Sequence, residues 1–186
     1  MLSSRAYRPW MGYLVALAAG ALTTLTFAPF SLWWIGPIAV AMVFYGLHDL
    51  TTGQAALRGW SYGVGLFGAG TSWIYVSIHD YGYTGVPLAV FLTALFVVTL
   101  ALFYAVIFGV YRRLTSPRWA MLTFAGAWVL GEALRTWAFT GFPWLLLGSA
   151  HVASPLAPWA PVGGVYLLSL FVALSGTLLV ALCRKR

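Results

Sequence analysis

Long apolar stretches separated by short polar segments dominate the pattern of residues along this chain. About 20 apolar residues of helix are enough to cross the hydrocarbon core of a bilayer. A spanning backbone must satisfy its own hydrogen bonds, and the strict alternation typical of a membrane β-barrel is absent, so the stretches predict helices. The pattern predicts an all-α, polytopic transmembrane helical bundle of about six spans, at residues 10–27, 30–47, 59–78, 86–111, 119–139 and 163–183.

Pro29 separates the first two of these spans. Residues 10–47 are too long for one spanning helix, because they would cross the membrane almost twice. Pro29 lacks the amide hydrogen that a continuous helix needs at that point. We therefore predict a tight helical hairpin with Pro29 at its bend.

Composition supports the membrane interpretation. Hydrophobic residues make up 62% of the 186 residues and charged residues only 7%, against about 25% charged residues in an average soluble domain. A soluble domain of this size has too much surface for its volume to hide so many apolar side chains. A membrane removes that difficulty.

The basic residues predict the orientation of the bundle. With the N-terminus in the cytoplasm, nine of the ten basic residues fall on the cytoplasmic side, which agrees with the positive-inside rule. Both termini are then cytoplasmic, and only Arg135 lies at the opposite face. The net charge of +7 does not indicate a nucleic-acid partner, because the basic residues are scattered between apolar runs and form no polar patch. The nine are Arg5, Arg8, Arg58, Arg112, Arg113, Arg118, Arg184, Lys185 and Arg186.

The two connections predicted at the outer face differ from each other. Residues 79–85 are short and contain glycines, whereas residues 140–161 contain four prolines and remain apolar and aromatic. Such a segment either lies among the lipid headgroups, where Trp and Phe are enriched, or folds back against the helices.

Two other motifs carry no cofactor or metal chemistry. Residues 63–68 match GxGxxG but lie inside an apolar span, without the preceding strand that dinucleotide binding requires, so close helix packing is the better interpretation. His48 falls on the inner side and His79 and His151 on the outer, where we expect hydrogen bonds to water or headgroups, and no HExxH spacing occurs. We predict no metal site and no cofactor; whether His79 and Asp80 contact a lipid or a docked domain stays open.

Glu132 and Arg135 are charged residues near the outer end of the fifth predicted span, 119–139. Their spacing places them on one helix face. Ionisable residues in membranes are costly unless paired, and they often mark functional sites. They form either a self-neutralising pair that anchors the helix end or a pair that positions the segment 140–144.

These residues also carry a family resemblance. Over essentially its whole length the chain resembles the apolipoprotein N-acyltransferase family, although residues 148–151 depart from the family pattern after Gly148. The matching stretches, in chain order, are Phe27-Ala-Pro-Phe, Ser72-Trp-Ile-Tyr-Val-Ser-Ile, Glu132 with Arg135, Thr140-Gly-Phe-Pro-Trp and Ala160-Pro-Val-Gly-Gly-Val-Tyr.

The resemblance implies an acyltransferase of lipoprotein maturation in the bacterial inner membrane. Such an enzyme moves an acyl chain from a phospholipid to the amine of a lipoprotein's N-terminal diacylglyceryl cysteine. In the family, a nitrilase-like domain that follows the membrane half supplies a cysteine nucleophile, a glutamate base and a lysine. Membrane phospholipids, diacylglyceryl lipoproteins and that domain are the implied partners.

The residues themselves indicate that this chemistry lies outside residues 1–186. Cys183 and Lys185 are the only cysteine and lysine and fall at the inner face, whereas the only glutamate, Glu132, falls near the outer face. A thiol nucleophile needs its base within hydrogen-bond reach. We therefore expect residues 1–186 to be a transmembrane domain without the nitrilase-like domain, with no catalytic residue and no acyltransferase activity alone.

Two sets of candidate residues follow. Tyr75, Phe142 and Trp144 are substrate- or lipid-side candidates near the outer face, although Trp144 also suits an ordinary interfacial anchor. Two alternatives stay open: a small transporter or lipid-handling scaffold without catalysis, and a non-functional truncated remnant. The candidates for a structural or loop-positioning role are Pro29, Glu132, Arg135, Gly141 and Pro143.

Overall fold

A computed structural model describes residues 9–184, and this part of the chain is helical with no β-strand. The all-α class is therefore confirmed. The helices are α1 (Pro9–Thr23), α2 (Ile35–Gly46), α3 (Thr52–Gly70), α4 (Trp73–Val76), α5 (Val86–Leu114), α6 (Ala120–Trp137) and α7 (Ala160–Arg184).

Two helices begin at different residues from those that hydropathy suggested. Helix α3 begins at Thr52 instead of residue 59, because Thr51 and Gln54 form a reciprocal capping box that starts it in a polar segment. Helix α2 begins at Ile35 instead of residue 30. The bend before it contains the cis peptide Ala28–Pro29 and a left-handed residue, Ser31, with φ of 54°.

Among the described residues, two helices are long and apolar enough to cross a membrane, Val86–Leu114 and Ala157–Arg184. Trp10–Thr26 and Ile35–Gly46 are apolar but shorter. Large apolar side chains of α5 point outward, with Phe91 60% and Val106 59% exposed. An apolar surface of this extent is suited to lipid.

Helix α3 lies between α1 and α5, and glycines set its distance from both. A Cβ at Gly65 would overlap the carbonyl oxygen of Leu17 in α1, and one at Gly63 would lie 2.7 Å from the Cα of Ala101 in α5. Small residues allow this close approach of helices in membranes. The packing interpretation of residues 63–68 is confirmed.

An aromatic core fills the space beside these contacts. The ring of Tyr62 lies 4.9 Å from that of Tyr104 and 5.4 Å from that of Trp128, both with edge-to-face geometry. All three side chains are buried. The core fixes α6 against α3 and α5, and thereby positions the residues that follow Trp128 along α6.

Helix α7 is broken near its start. Gly163 and Gly164 have non-helical backbone angles, and the φ of 64° and ψ of −163° at Gly164 are essentially restricted to glycine. The regular part of α7 therefore begins after Gly164, close to the start predicted at residue 163, and carries Ser169 toward α6.

Candidate functional site

Arg135 holds the segment 138–146, which follows α6. Its Nη1 donates hydrogen bonds to the carbonyl oxygens of Phe142 at 2.8 Å and Trp144 at 2.6 Å. In return, the Phe142 amide donates to the Arg135 carbonyl at 2.9 Å. The guanidinium also lies over the rings of Phe67, at 5.2 Å, and Phe142, at 5.9 Å. Arg135 is only 1% exposed, so backbone dipoles and aromatic faces replace its hydration.

The backbone of this segment turns through three left-handed residues, Phe139, Gly141 and Leu145, with φ of 58°, 78° and 57°. A Cβ at Gly141 would overlap the Thr136 carbonyl oxygen. These turns direct the carbonyl groups of residues 142 and 144 inward to Arg135. Non-glycine residues in this region are held there by surrounding contacts.

Glu132 holds the next part of the same segment. Its Oε1 accepts hydrogen bonds from the Leu147 amide at 2.7 Å and the Trp128 indole at 3.2 Å. Its Oε2 accepts from the Ser169 hydroxyl of α7 at 2.5 Å. The Gly148 amide donates to the same hydroxyl at 2.8 Å. This buried network joins α6, α7 and the chain between them.

Glu132 and Arg135 bind these partners instead of each other. Within residues 9–184, the contacts of 4.0 Å or less between basic and acidic groups are His48 with Asp49 and His79 with Asp80. The i, i+3 spacing of Glu132 and Arg135 predicted a direct pair, which does not form. Each side chain is satisfied separately, and both contact the segment that follows α6.

The aromatic candidates form two groups. Phe142 and Trp144 stack with ring centroids 5.3 Å apart, and Trp73 lies 6.4 Å from Trp144. Trp144 remains 53% exposed. Tyr75 is half-buried and lies in another group, 5.4 Å from the ring of His79. Pro143 is exposed between the two stacked rings.

A groove of about 430 Å³ runs beside this aromatic pair, between α5 and residues 138–142. Its walls are mostly apolar, and Thr99, Arg135 and Thr140 are the polar side chains that line it. The apolar lining includes Leu92, Leu95, Phe96, Phe103, Phe139 and Phe142. Its shape and chemistry suit a hydrocarbon chain.

The later part of the long connection folds back against the helices. Leu147–His151 forms a short 3₁₀ helix, and Leu147, Ala150 and His151 are buried. The expectation of an interfacial, water-bonded His151 was wrong, because its ring lies under this turn with Nδ1 2.9 Å from the Ser154 hydroxyl oxygen and the ring 6.0 Å from that of Trp33. Burial lowers the pKa of His151.

The single cysteine lies far from this region. Cys183 follows Ser169, the partner of Glu132, by 14 residues in α7. At 1.5 Å of rise per residue that separation is about 21 Å. Glu132 therefore has no thiol within reach, as the sequence indicated.

Sequence reasoning did not identify Trp128, Ser169 or His151 as parts of this region. Trp128 has a weak signal, since it precedes Glu132 by one helical turn. Ser169 has none, because a serine in an apolar helix resembles the exposed Ser175 of the same helix.

Comparisons with known proteins match this arrangement to one family. The family described as "Apolipoprotein N-acyltransferase N-terminal domain" matches residues 19–178. A protein named apolipoprotein N-acyltransferase from Pseudomonas syringae pv. tomato is 50% identical over 95% of this chain and 36% of its own length. One from Pseudomonas aeruginosa is 49% identical over 94% of this chain and 35% of its own length. One from Coxiella burnetii is 42% identical over 95% and 37%.

The chain spans about a third of the length of these curated relatives, because the match covers 35–37% of each of them. The family match covers most of the chain, including both Glu132 with its partners and the segment 138–146. The chain therefore belongs to the apolipoprotein N-acyltransferase family and corresponds to its N-terminal domain.

Proposed function

We propose that residues 1–186 form the membrane domain of an enzyme that transfers an acyl chain from a phospholipid to the N-terminal amine of a diacylglyceryl lipoprotein. In this proposal the domain provides lipid access, anchorage and a docking surface, and a nitrilase-like domain outside residues 1–186 performs the covalent chemistry. The observation that carries the proposal is the buried network of Glu132 and Arg135, which fixes the half-buried Phe142 and the exposed Trp144 beside an apolar groove.

The membrane arrangement proposed for this domain is six spans in the bacterial inner membrane with both termini cytoplasmic. Contacts at one end of the bundle support it. Arg58 of α3 donates to the Gly46 carbonyl at the end of α2, and Arg112 of α5 donates to the Leu50 carbonyl. Arg184 of α7 lies over the ring of Tyr45. Basic side chains gathered at one end are typical of a cytoplasmic face.

The opposite end then faces the periplasm and receives the lipids. Trp144 and Trp73 lie there with exposed rings, where aromatic side chains favour the headgroup region. The groove beside Phe142 would hold an acyl chain, and Arg135 and Glu132 would keep its wall in place. Pro143 restricts how the segment can move, and Gly141 permits its left-handed turn.

The proposal is tested in a version of the chain fused in frame to a nitrilase-like catalytic domain. Trp144→Ala should slow acyl transfer about tenfold, since positioning effects of this size accompany small misplacements of a substrate. Trp159→Ala is the matched control, because Trp159 is also about half exposed but contacts the ring of Phe171 in α7, whereas Trp144 stacks on the groove residue Phe142. Transfer is measured by mass spectrometry of the third acyl chain on a lipoprotein. Equal turnover of both variants at equal abundance would reduce Trp144 to an interfacial anchor.

A further inference from the structure

A second cavity, of about 520 Å³, lies at the other end of the bundle. It is enclosed by α1, the end of α2, the start of α3 and the end of α7. Arg58 and Arg184 contribute the cationic groups, and Val15 and Val43 are among its apolar residues. A smaller cavity of about 270 Å³ shares Arg184 with it and adds Arg112.

Arg58 is incompletely satisfied in this cavity. Its Nη1 donates to the Gly46 carbonyl, and its guanidinium lies 5.8 Å from the centroid of the Tyr13 ring. Its Nε is buried and has no hydrogen-bond partner among residues 9–184. Buried polar groups normally have a partner, and buried cations need one most. Arg58 lines the cavity, and its guanidinium N–H groups other than those of Nη1 have no acceptor within residues 9–184.

The charges around the cavity favour an anion. Asp49 is the only carboxylate among the lining residues, and it pairs with His48 at 2.5 Å. Residues 1–8 and 185–186, which lie outside the described part, include basic but no acidic side chains. Arg58 and Arg184 therefore leave an excess of positive charge that the side chains of this chain do not neutralise.

We propose that this cavity binds a phosphate-bearing anion through Arg58 and Arg184. Phosphate oxygens match the hydrogen-bonding geometry of guanidinium groups. Basic pockets between membrane helices on the cytoplasmic side bind anionic headgroups in this way. The apolar wall of Val15, Met42 and Val43 continues beside the basic groups, which favours a phospholipid over free phosphate as the source.

The test uses the 186-residue chain in detergent micelles and titrates phosphatidylglycerol, with phosphatidylcholine of the same acyl chains as comparison. Native mass spectrometry measures the bound lipid. We expect a preference for phosphatidylglycerol that falls at least about fivefold in Arg58→Gln, the effect of one basic group near an anionic surface. Arg113→Gln is the matched control, because Arg113 is exposed on the same helix turn as Arg112 but lines neither cavity. Its affinity should change less than twofold.

Inorganic phosphate in a parallel titration identifies the source of the anion. If inorganic phosphate alone stabilises the protein and Arg58→Gln removes this effect, the ligand is a soluble anion. If phosphatidylglycerol binds but inorganic phosphate does not stabilise the protein, the ligand is a lipid headgroup. If Arg58→Gln does not fold, the exposed Arg184→Gln replaces it with the same expectation. The proposal is overturned if Arg58→Gln and Arg184→Gln change the binding of phosphatidylglycerol and of inorganic phosphate no more than Arg113→Gln does.

Discussion

Arginine has different surroundings at the two ends of this bundle. At one end, Arg135 is buried, donates to backbone carbonyls and lies over two aromatic rings. At the other end, Arg58 makes one hydrogen bond to the described residues, has an unsatisfied Nε and faces a cavity. A buried cation with several backbone acceptors, such as Arg135, stabilises the fold, whereas Arg58, with one acceptor and a cavity beside it, has N–H groups left for a ligand.

The largest loss of stability is expected for Glu132→Ala, at the end of the bundle that contains Arg135. The change leaves the Leu147 amide, the Trp128 indole and the Ser169 hydroxyl without an acceptor. A loss of at least about 3 kcal/mol is expected, because each of three buried donors is left without an acceptor at a cost of about 1–3 kcal/mol. Thermal unfolding in micelles, followed by circular dichroism, measures it. Asp80→Asn, at an exposed carboxylate, should change little, and comparable losses in both variants would contradict the role of the network.

The next prediction compares the loss of stability on replacing Arg135 and Arg58 by lysine. Arg135→Lys removes the planar guanidinium, whose Nη1 bonds both the Phe142 and Trp144 carbonyls and which lies over the Phe67 and Phe142 rings, and should cost about 2 kcal/mol. Arg58→Lys should cost less than about 1 kcal/mol, because one hydrogen bond changes. The two are compared by unfolding and by hydrogen exchange of the Phe142 amide. Equal costs would remove the contrast between the ends.

A smaller effect is expected for Ser169→Ala. The change removes one donor to Glu132 and the acceptor of the Gly148 amide, and should cost about 1–2 kcal/mol. Ser175→Ala on the same helix is the control, because its hydroxyl bonds only the Phe171 carbonyl and is exposed. If both variants unfold at the same temperature, Ser169 is a small packing residue without a share in the network.

The smallest effect concerns pH. Because burial lowers the pKa of His151 in the folded protein, the unfolded chain binds the proton more readily. The stability that His151 contributes is therefore present above its ordinary pKa of about 6.5 and is lost as the pH falls below it. Unfolding between about pH 8 and pH 5 measures this, and His151→Gln should flatten the profile.

The sequence predicted the helices well because each apolar stretch has to satisfy its own backbone. It also singled out Glu132 and Arg135, since charge is rare in such stretches. It did not predict their partners. Leu147 and Ser169 lie 15 and 37 residues from Glu132, and only the packing of α7 on α6 brings them together. The start of α3 was missed because the capping residues are polar, and hydropathy gives them no weight.

The connection between Glu132 and Ser169 has a consequence for how the chain is made. Glu132 leaves the ribosome 37 residues before the hydroxyl that bonds it. At about 5–20 residues per second, synthesis takes roughly 2–7 s to supply that partner. In the proposed six-span arrangement, α6 carries a carboxylate without its final hydrogen bonds into an apolar environment during this interval. Stable insertion of α6 should therefore wait for α7, so nascent chains that end before residue 169 should leave α6 extractable from the membrane.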